Sequence, residues 1–169
     1  MTAEFFAEIA LGQMTAALLT LGQSIESADG EAWEAPHPDT AVNQVVFHAL
    51  FYADLYLGMS EEGFRDQGFH AAHREIFGDY EDRGERRPVR VYPKEECRAY
   101  LDFCLAKARE VLRGETDASL SRRSGFYWQE FSRAELHVYN ARHIQHHAAQ
   151  LGLRTQLRGG PALDWVSRG

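Results

Sequence analysis

Between about Ala3 and Ser27, the residues Leu11, Met14, Leu18, Leu21 and Ile25 follow one another at alternating steps of three and four. Only a helix of 3.6 residues per turn gathers such positions onto one face, and a helix with one apolar face must bury it. Gly12 and Gly22 each cost this helix about 1 kcal/mol relative to alanine without breaking the period. Three later segments repeat the pattern. The second is expected to start at Asp39 or Thr40, either of which can cap the free amides of a first turn. It runs through Val42, Val45, Val46, Ala49, Tyr52 and Tyr56 to about Gly58. The third follows Pro93, a residue suited to a first turn, and carries Cys97, Leu101, Cys104, Leu105, Ala108, Val111 and Leu112 to a stop at Gly114. The fourth opens with Ser132-Arg133-Ala134-Glu135, in which serine and glutamate reciprocally satisfy exposed amides, and reaches about Leu157. Four such stripes and no alternating strand pattern predict an all-α four-helix bundle, with residues 1–169 as one domain.

The connections carry their own information. Ala28–Pro38 reads as a turn region, and Glu115–Phe131 as an irregular stretch holding Phe126-Tyr127-Trp128. From Ser60 to Pro93 the period fails at Gly63, Gly68, Gly78, Gly84 and Pro88, yet Phe64, Phe69, Ile76 and Phe77 predict a segment that packs. Connections this long are uncommon in compact domains, and one use for them is to let two successive helices lie parallel. After Gly159-Gly160-Pro161, the tail is expected to dock Trp165 back on the bundle.

Composition narrows the function classes. A chain of 169 residues, 44% hydrophobic, buries roughly 70% of its unfolded surface and needs neither disulfide nor metal to persist. With 18 Lys and Arg against 25 Asp and Glu, the net charge is −7, which argues against nucleic acid as a partner. The basic cluster Arg83–Arg90 is diluted by Glu85 and Pro88 and reads as a solvated loop. No apolar run approaches the roughly 18 residues of a membrane span, and the first residues carry acids where an export signal carries bases. Cys97 and Cys104 lie two helical turns apart, about 10 Å, too far for a mutual disulfide. They are expected to be small core residues of a reduced, cytoplasmic protein.

The eight histidines are the chemical anomaly. His37, His70 and His73 fall in turns or loops and are expected to be exposed. On the fourth helix, Leu136, Asn140, His143, His147 and Leu151 share one face, so an apolar stripe is interrupted by three polar residues. Each would cost about 1–3 kcal/mol if buried without a partner. They therefore need one another, water or a cation. His143 and His147 are four apart and project from one side of successive turns, the spacing with which a helix offers two nitrogens to one metal. Ile144 stands where a zinc protease has glutamate, so that chemistry is excluded. His48 interrupts the apolar run Val45–Phe51 on the second helix and is the third candidate ligand, since bundles build metal sites from facing helices. Three histidines plus an exchangeable water make a site with an open position. His146 is an alternative second ligand, but it is rotated about 100° from the stripe that His147 keeps. His137 is expected near the surface or hydrogen-bonded at the helix start. Gln150 and Asn140 are placed to orient an imidazole or a water. The chain has no Gly-rich phosphate loop, GxSxG elbow or Cys-x-x-Cys pair.

The lone histidine, the long connection and Arg142-His143-Ile144-Gln145-His146-His147-Ala148-Ala149-Gln150-Leu151 together resemble the DinB-like (YfiT-like) superfamily of four-helix-bundle proteins. The resemblance implies an up-down-down-up bundle with the long loop between helices two and three. It also implies a divalent metal, zinc or nickel, on His48, His143 and His147, and a homodimer. Several relatives use such a metal to activate a low-molecular-weight thiol, so the resemblance implies a thiol S-transferase or a hydrolase acting on a small-molecule substrate. A competing expectation, from a different class, is a non-catalytic stress-response or dimerisation module whose histidines are structural.

Overall fold

The computed structural model describes residues 2–37, 40–77 and 90–169. The side chain of His37, the cap at Asp39 and the basic run from Arg83 to Pro88 lie outside the described residues. The elements are α1 (Ala3–Ser27), α2 (Gly30–Glu34), β1 (Pro36–His37), β2 (Thr40–Ala41), α3 (Val42–Leu57), α4 (Gly68–Ala72), α5 (Arg74–Phe77), α6 (Lys94–Arg113), α7 (Asp117–Leu120) and α8 (Arg133–Leu157). Among the described residues the protein is all-α apart from the two-residue strands, which pair antiparallel as a small hairpin, and one isolated bridge between Arg123 and Ser132.

The four long helices are the four expected ones, and their buried faces follow the sequence stripes. Met14, Leu18, Leu21 and Ile25 of α1 are fully buried, as are Cys97, Cys104, Ala108 and Leu112 of α6. The capping box at Ser132 and Glu135 is present, and α8 ends at Leu157. Gly22 sits against α6: a Cβ there would lie 2.9 Å from Leu101 Cδ2. This glycine is a packing position as well as a weak point in propensity.

Side-chain contacts give the topology. Along α3 and α6, Gln44 reaches Arg90, Cys104 reaches Leu50, and Lys107 reaches Asp54, so the two helices run parallel. Between α3 and α8 the order reverses: Arg154 meets Thr40, His143 meets His48, and Arg133 meets Tyr56. Helices α1 and α6 are antiparallel, with Arg98 on Glu26 and Ala3 on Asp117. The result is the up-down-down-up bundle, in which the long connection carries the chain back to start α6 beside α3.

Four expectations change. Helix α3 begins at Val42 behind Ala41, which makes no side-chain cap, because Thr40 is taken up in the hairpin. The turn region after α1 contains α2, whose Trp33 is buried and donates Nε1–H to the Tyr92 carbonyl at 2.8 Å. Trp165 does not dock: it is 84% exposed, and the tail packs through Leu163 against Gly152 instead. Finally, α1 is long and apolar enough, by length and composition, to cross a membrane. Its apolar face is spent on the core, packed against α6 and α8.

One clamp sets the register of α3 on α8. Arg133, only 1% exposed, donates to the carbonyls of Tyr56 and Leu57 at 3.0 Å each, and also to that of Gly58. These are end-of-helix carbonyls that α3 cannot satisfy itself, and a cation there also complements the helix dipole. Two turns further along α8, Asn140 donates to the Ala53 carbonyl at 3.0 Å. With these points held, the following turns of α8 must face His48.

Candidate metal centre

His48 of α3 and His143 and His147 of α8 converge. His143 Nε2 lies 3.3 Å from His48 Nε2 and 3.2 Å from His147 Nε2, and one ligand atom from each residue falls within 4.8 Å of the others. Four ligands at 2.0–2.1 Å in a tetrahedron are separated by about 3.4 Å. The imidazoles therefore stand at nearly the spacing of ligands around one small cation. The three nitrogens cannot satisfy one another, since each neutral imidazole offers one donor and one acceptor and His143 Nε2 faces two partners at once. A cation at the centre would accept all three lone pairs. The residues fit a divalent metal that takes imidazole nitrogen, such as zinc or nickel.

The surroundings keep these rings ready to bind. His147 Nδ1 lies 3.0 Å from Gln150 Oε1, an oxygen that only accepts, so the proton sits on Nδ1 and the Nε2 lone pair points to the centre. Gln150 thus has the orienting part expected of it, whereas Asn140 is committed to the Ala53 carbonyl and does not touch the histidines. Among the described residues, His143 Nδ1 is buried with no hydrogen-bond partner. Burial pushes the His143 pKa down to about 4, helped by the neighbouring His147 and His146. Burial also lowers that of His147, against the opposing pull of Gln150. Both are neutral near pH 7, the form a metal requires.

A pH dependence follows. Because the folded pKa of His143 lies near 4 and the unfolded one near 6.5, the unfolded chain holds more protons between those values. Stability present above about pH 6.5 is therefore lost progressively as pH falls toward 4. Guanidinium unfolding of the metal-free protein at pH 7, 5.5 and 4.5 should show a falling midpoint, with part of the fall removed in His143→Ala. A midpoint independent of pH across that window contradicts the burial of this ring.

The remaining histidines separate by environment. His146 is exposed and turned off the stripe, and His73 lies at the surface, 3.8 Å from Glu75. His137 is hydrogen-bonded as expected, to Glu115 at 2.8 Å, but it is buried rather than superficial. Glu115 is desolvated, yet its bonds to His137, Ser119 and Arg133 hold its carboxyl down at about 2. His70 overturns its expectation as an exposed loop residue. It is 3% exposed, stacked on Phe77, with Nε2 2.7 Å from Asp54 Oδ2.

Asp54 is the hub that sequence reasoning passed over. Fully buried on α3, it accepts from Tyr100 Oη at 2.8 Å, from Lys107 Nζ and from His70. Burial alone would raise its pKa, but His70 and Lys107 outweigh that and hold it below the ordinary range. A signal was available: an acid inside the apolar run from Phe51 to Leu57 is the same kind of interruption as His48.

Two cavities matter for placing chemistry. The larger, about 660 Å³, borders His70, Phe64, Arg65 and Arg74 and shares no lining residue with the three-histidine cluster. The smaller, about 440 Å³, has His48 and His143 in its wall, together with Tyr52, Tyr56, Tyr127, Trp128, Gln129 and Tyr139. Size favours the first. Chemistry favours the second, because it gives the converging nitrogens an open side.

A family model described as the DinB superfamily matches residues 10–151, a span that contains all three histidines and ends at Leu151. No curated protein and no solved structure matches the chain.

Proposed function

Because the chain belongs to the DinB superfamily and brings three imidazoles together, we propose that it is a metal-dependent enzyme, a thiol S-transferase or hydrolase. In this reading His48, His143 and His147 hold one divalent cation, zinc or nickel. The observation that carries it is the pair of Nε2 separations, 3.2 and 3.3 Å, which support a shared ligand better than three independent core histidines. Bound there, the cation would lower the pKa of a coordinated thiol or water until the anion exists near neutral pH, an effect that three uncharged ligands leave undiminished.

The chain's own residues supply the rest. Gln150 fixes the His147 tautomer, and the Arg133 clamp holds the two helices in register. Tyr52 packs its ring 4.8 Å from that of His48 and 5.6 Å from that of His143, which limits their rotation. No side chain among the described cavity-lining residues is a carboxylate that could act as a general base. Without a carboxylate beside it, a cation held by His48, His143 and His147 would itself supply the acidity that a bound thiol or water needs.

Elemental analysis of protein purified without a histidine tag, together with a thiol-transfer assay, tests this. About one equivalent of zinc or nickel, and thiol consumption that stops on chelation and returns with metal, is the expected result. Failure to retain metal even when it is supplied overturns the reading. Retained metal with no effect on thiol or ester chemistry favours a structural role for the histidines.

A further inference from the structure

The cleft beside the three histidines is walled mainly by aromatic rings, with Gln129 as the one amide in its described lining. Tyr52 and Tyr56 come from α3, Tyr139 from α8, and Tyr127 and Trp128 from the connection between α7 and α8, and the described lining includes no Asp, Glu, Lys or Arg. These rings are ordered about the histidines. Tyr139 lies nearly parallel to the His143 ring at 6.4 Å, and Trp128 Nε1 lies 3.4 Å from Tyr56 Oη. Tyr127 stands edge-on to Trp128 at 4.8 Å and is 87% exposed. It marks the mouth of the cleft.

Such a wall discriminates between ligands. A carboxylate or phosphate entering it finds no cationic side chain in the wall, so the only positive charge it could meet is the bound cation, whose open position the donor atom takes. An ammonium group would be drawn to the aromatic faces, but it would approach a divalent charge that its three ligands do not neutralise. An uncharged aromatic ring gains stacking and edge contacts at little desolvation cost. The cavity, about 440 Å³, has room for one such ring beside the metal-binding atom. We infer that the site selects an uncharged aromatic molecule whose sulfur or oxygen donor lies a short reach from its ring, with Tyr127 and Trp128 setting that preference. This rests on the three-histidine metal reading proposed above.

The test uses the Co²⁺-loaded protein, with thiolate binding read from the sulfur-to-cobalt absorption band. Benzyl mercaptan, 2-mercaptoethanol and 3-mercaptopropionate are titrated in parallel. Benzyl mercaptan should bind about tenfold more tightly than 2-mercaptoethanol, the scale of one or two good aromatic contacts, and more tightly than 3-mercaptopropionate, whose carboxylate gains nothing from an aromatic wall. Trp128→Ala should remove most of that preference, and Tyr127→Ala, at an exposed position where folding is not at stake, should reduce it. Neither should change cobalt uptake, since neither residue is among the three metal-binding histidines. Equal affinities for the three thiols, or a preference that survives both substitutions, overturns the inference. A second measurement separates its fate from that of the metal reading. Phenol titrated into metal-free protein should shift the Trp128 indole resonance, and should do so even if cobalt is never retained. No shift there overturns the aromatic cleft whatever the metal does.

Discussion

Alanine at His143 or at His147 should abolish stoichiometric metal uptake, whereas alanine at His146 or His73 should leave it intact. Only the first two imidazoles join His48 at ligand spacing. His146 is exposed beside them and His73 stands on the far connection. Gln150→Ala forms the graded arm of the experiment. It leaves all three nitrogens in place but frees the His147 tautomer, and should weaken metal binding by about 10–100-fold, as outer hydrogen-bond partners commonly do. Isothermal titration with Zn²⁺ alongside elemental analysis measures both effects. Loss of metal in His146→Ala equal to that in His147→Ala would mean that the helical face has been assigned wrongly. The His143→Ala variant should still fold, because among the described residues His143 Nδ1 is buried without a hydrogen-bond partner and its removal relieves a cost.

The second large effect is on stability. Asp54→Ala should destabilise the protein by about 3–5 kcal/mol, the scale seen when one member of a buried ion pair is removed and the other charge is left uncompensated. The carboxylate is fully buried and joins three parts of the fold: α3, which carries it; α6, through Tyr100 and Lys107; and α4, through His70. Guanidinium unfolding read by circular dichroism measures the loss, with Tyr100→Phe as a milder comparison that removes one hydrogen bond. A cost below about 1 kcal/mol, the value of an exposed pair, would show that the network is solvated. Metal uptake should survive in Asp54→Ala if the protein remains folded, since Asp54 faces α6 while His48 faces α8.

The two networks show how unevenly this chain could be read. His143 and His147 were legible because a helix imposes a four-residue repeat, so two polar residues on an apolar stripe announce a shared site. His48 could be nominated only as an exception in an apolar run, and Asp54, an exception of the same kind, was passed over. His70 gave no signal. Its segment is punctuated by glycines and has no period, and what buries it is the folding of Phe64, Phe69 and Phe77 onto α3 and α6. Trp165 failed in the opposite direction. Its size suggested burial, but Leu163 takes the groove over Gly152, and the tryptophan ring is left outside.

The four long helices, their apolar faces, the capping box at Ser132 and the pairing of His143 with His147 were determined by the sequence alone. All of these depend on residues within one or two turns of each other, where helix geometry converts spacing directly into position. The meeting of His48 with that pair, the burial of His70 and Asp54, the aromatic wall beside the histidines and the exposure of Trp165 were decided only by the tertiary structure. Each joins residues far apart in the chain, whose contact depends on how helices cross and which side chain fills a gap first, and no local period encodes that.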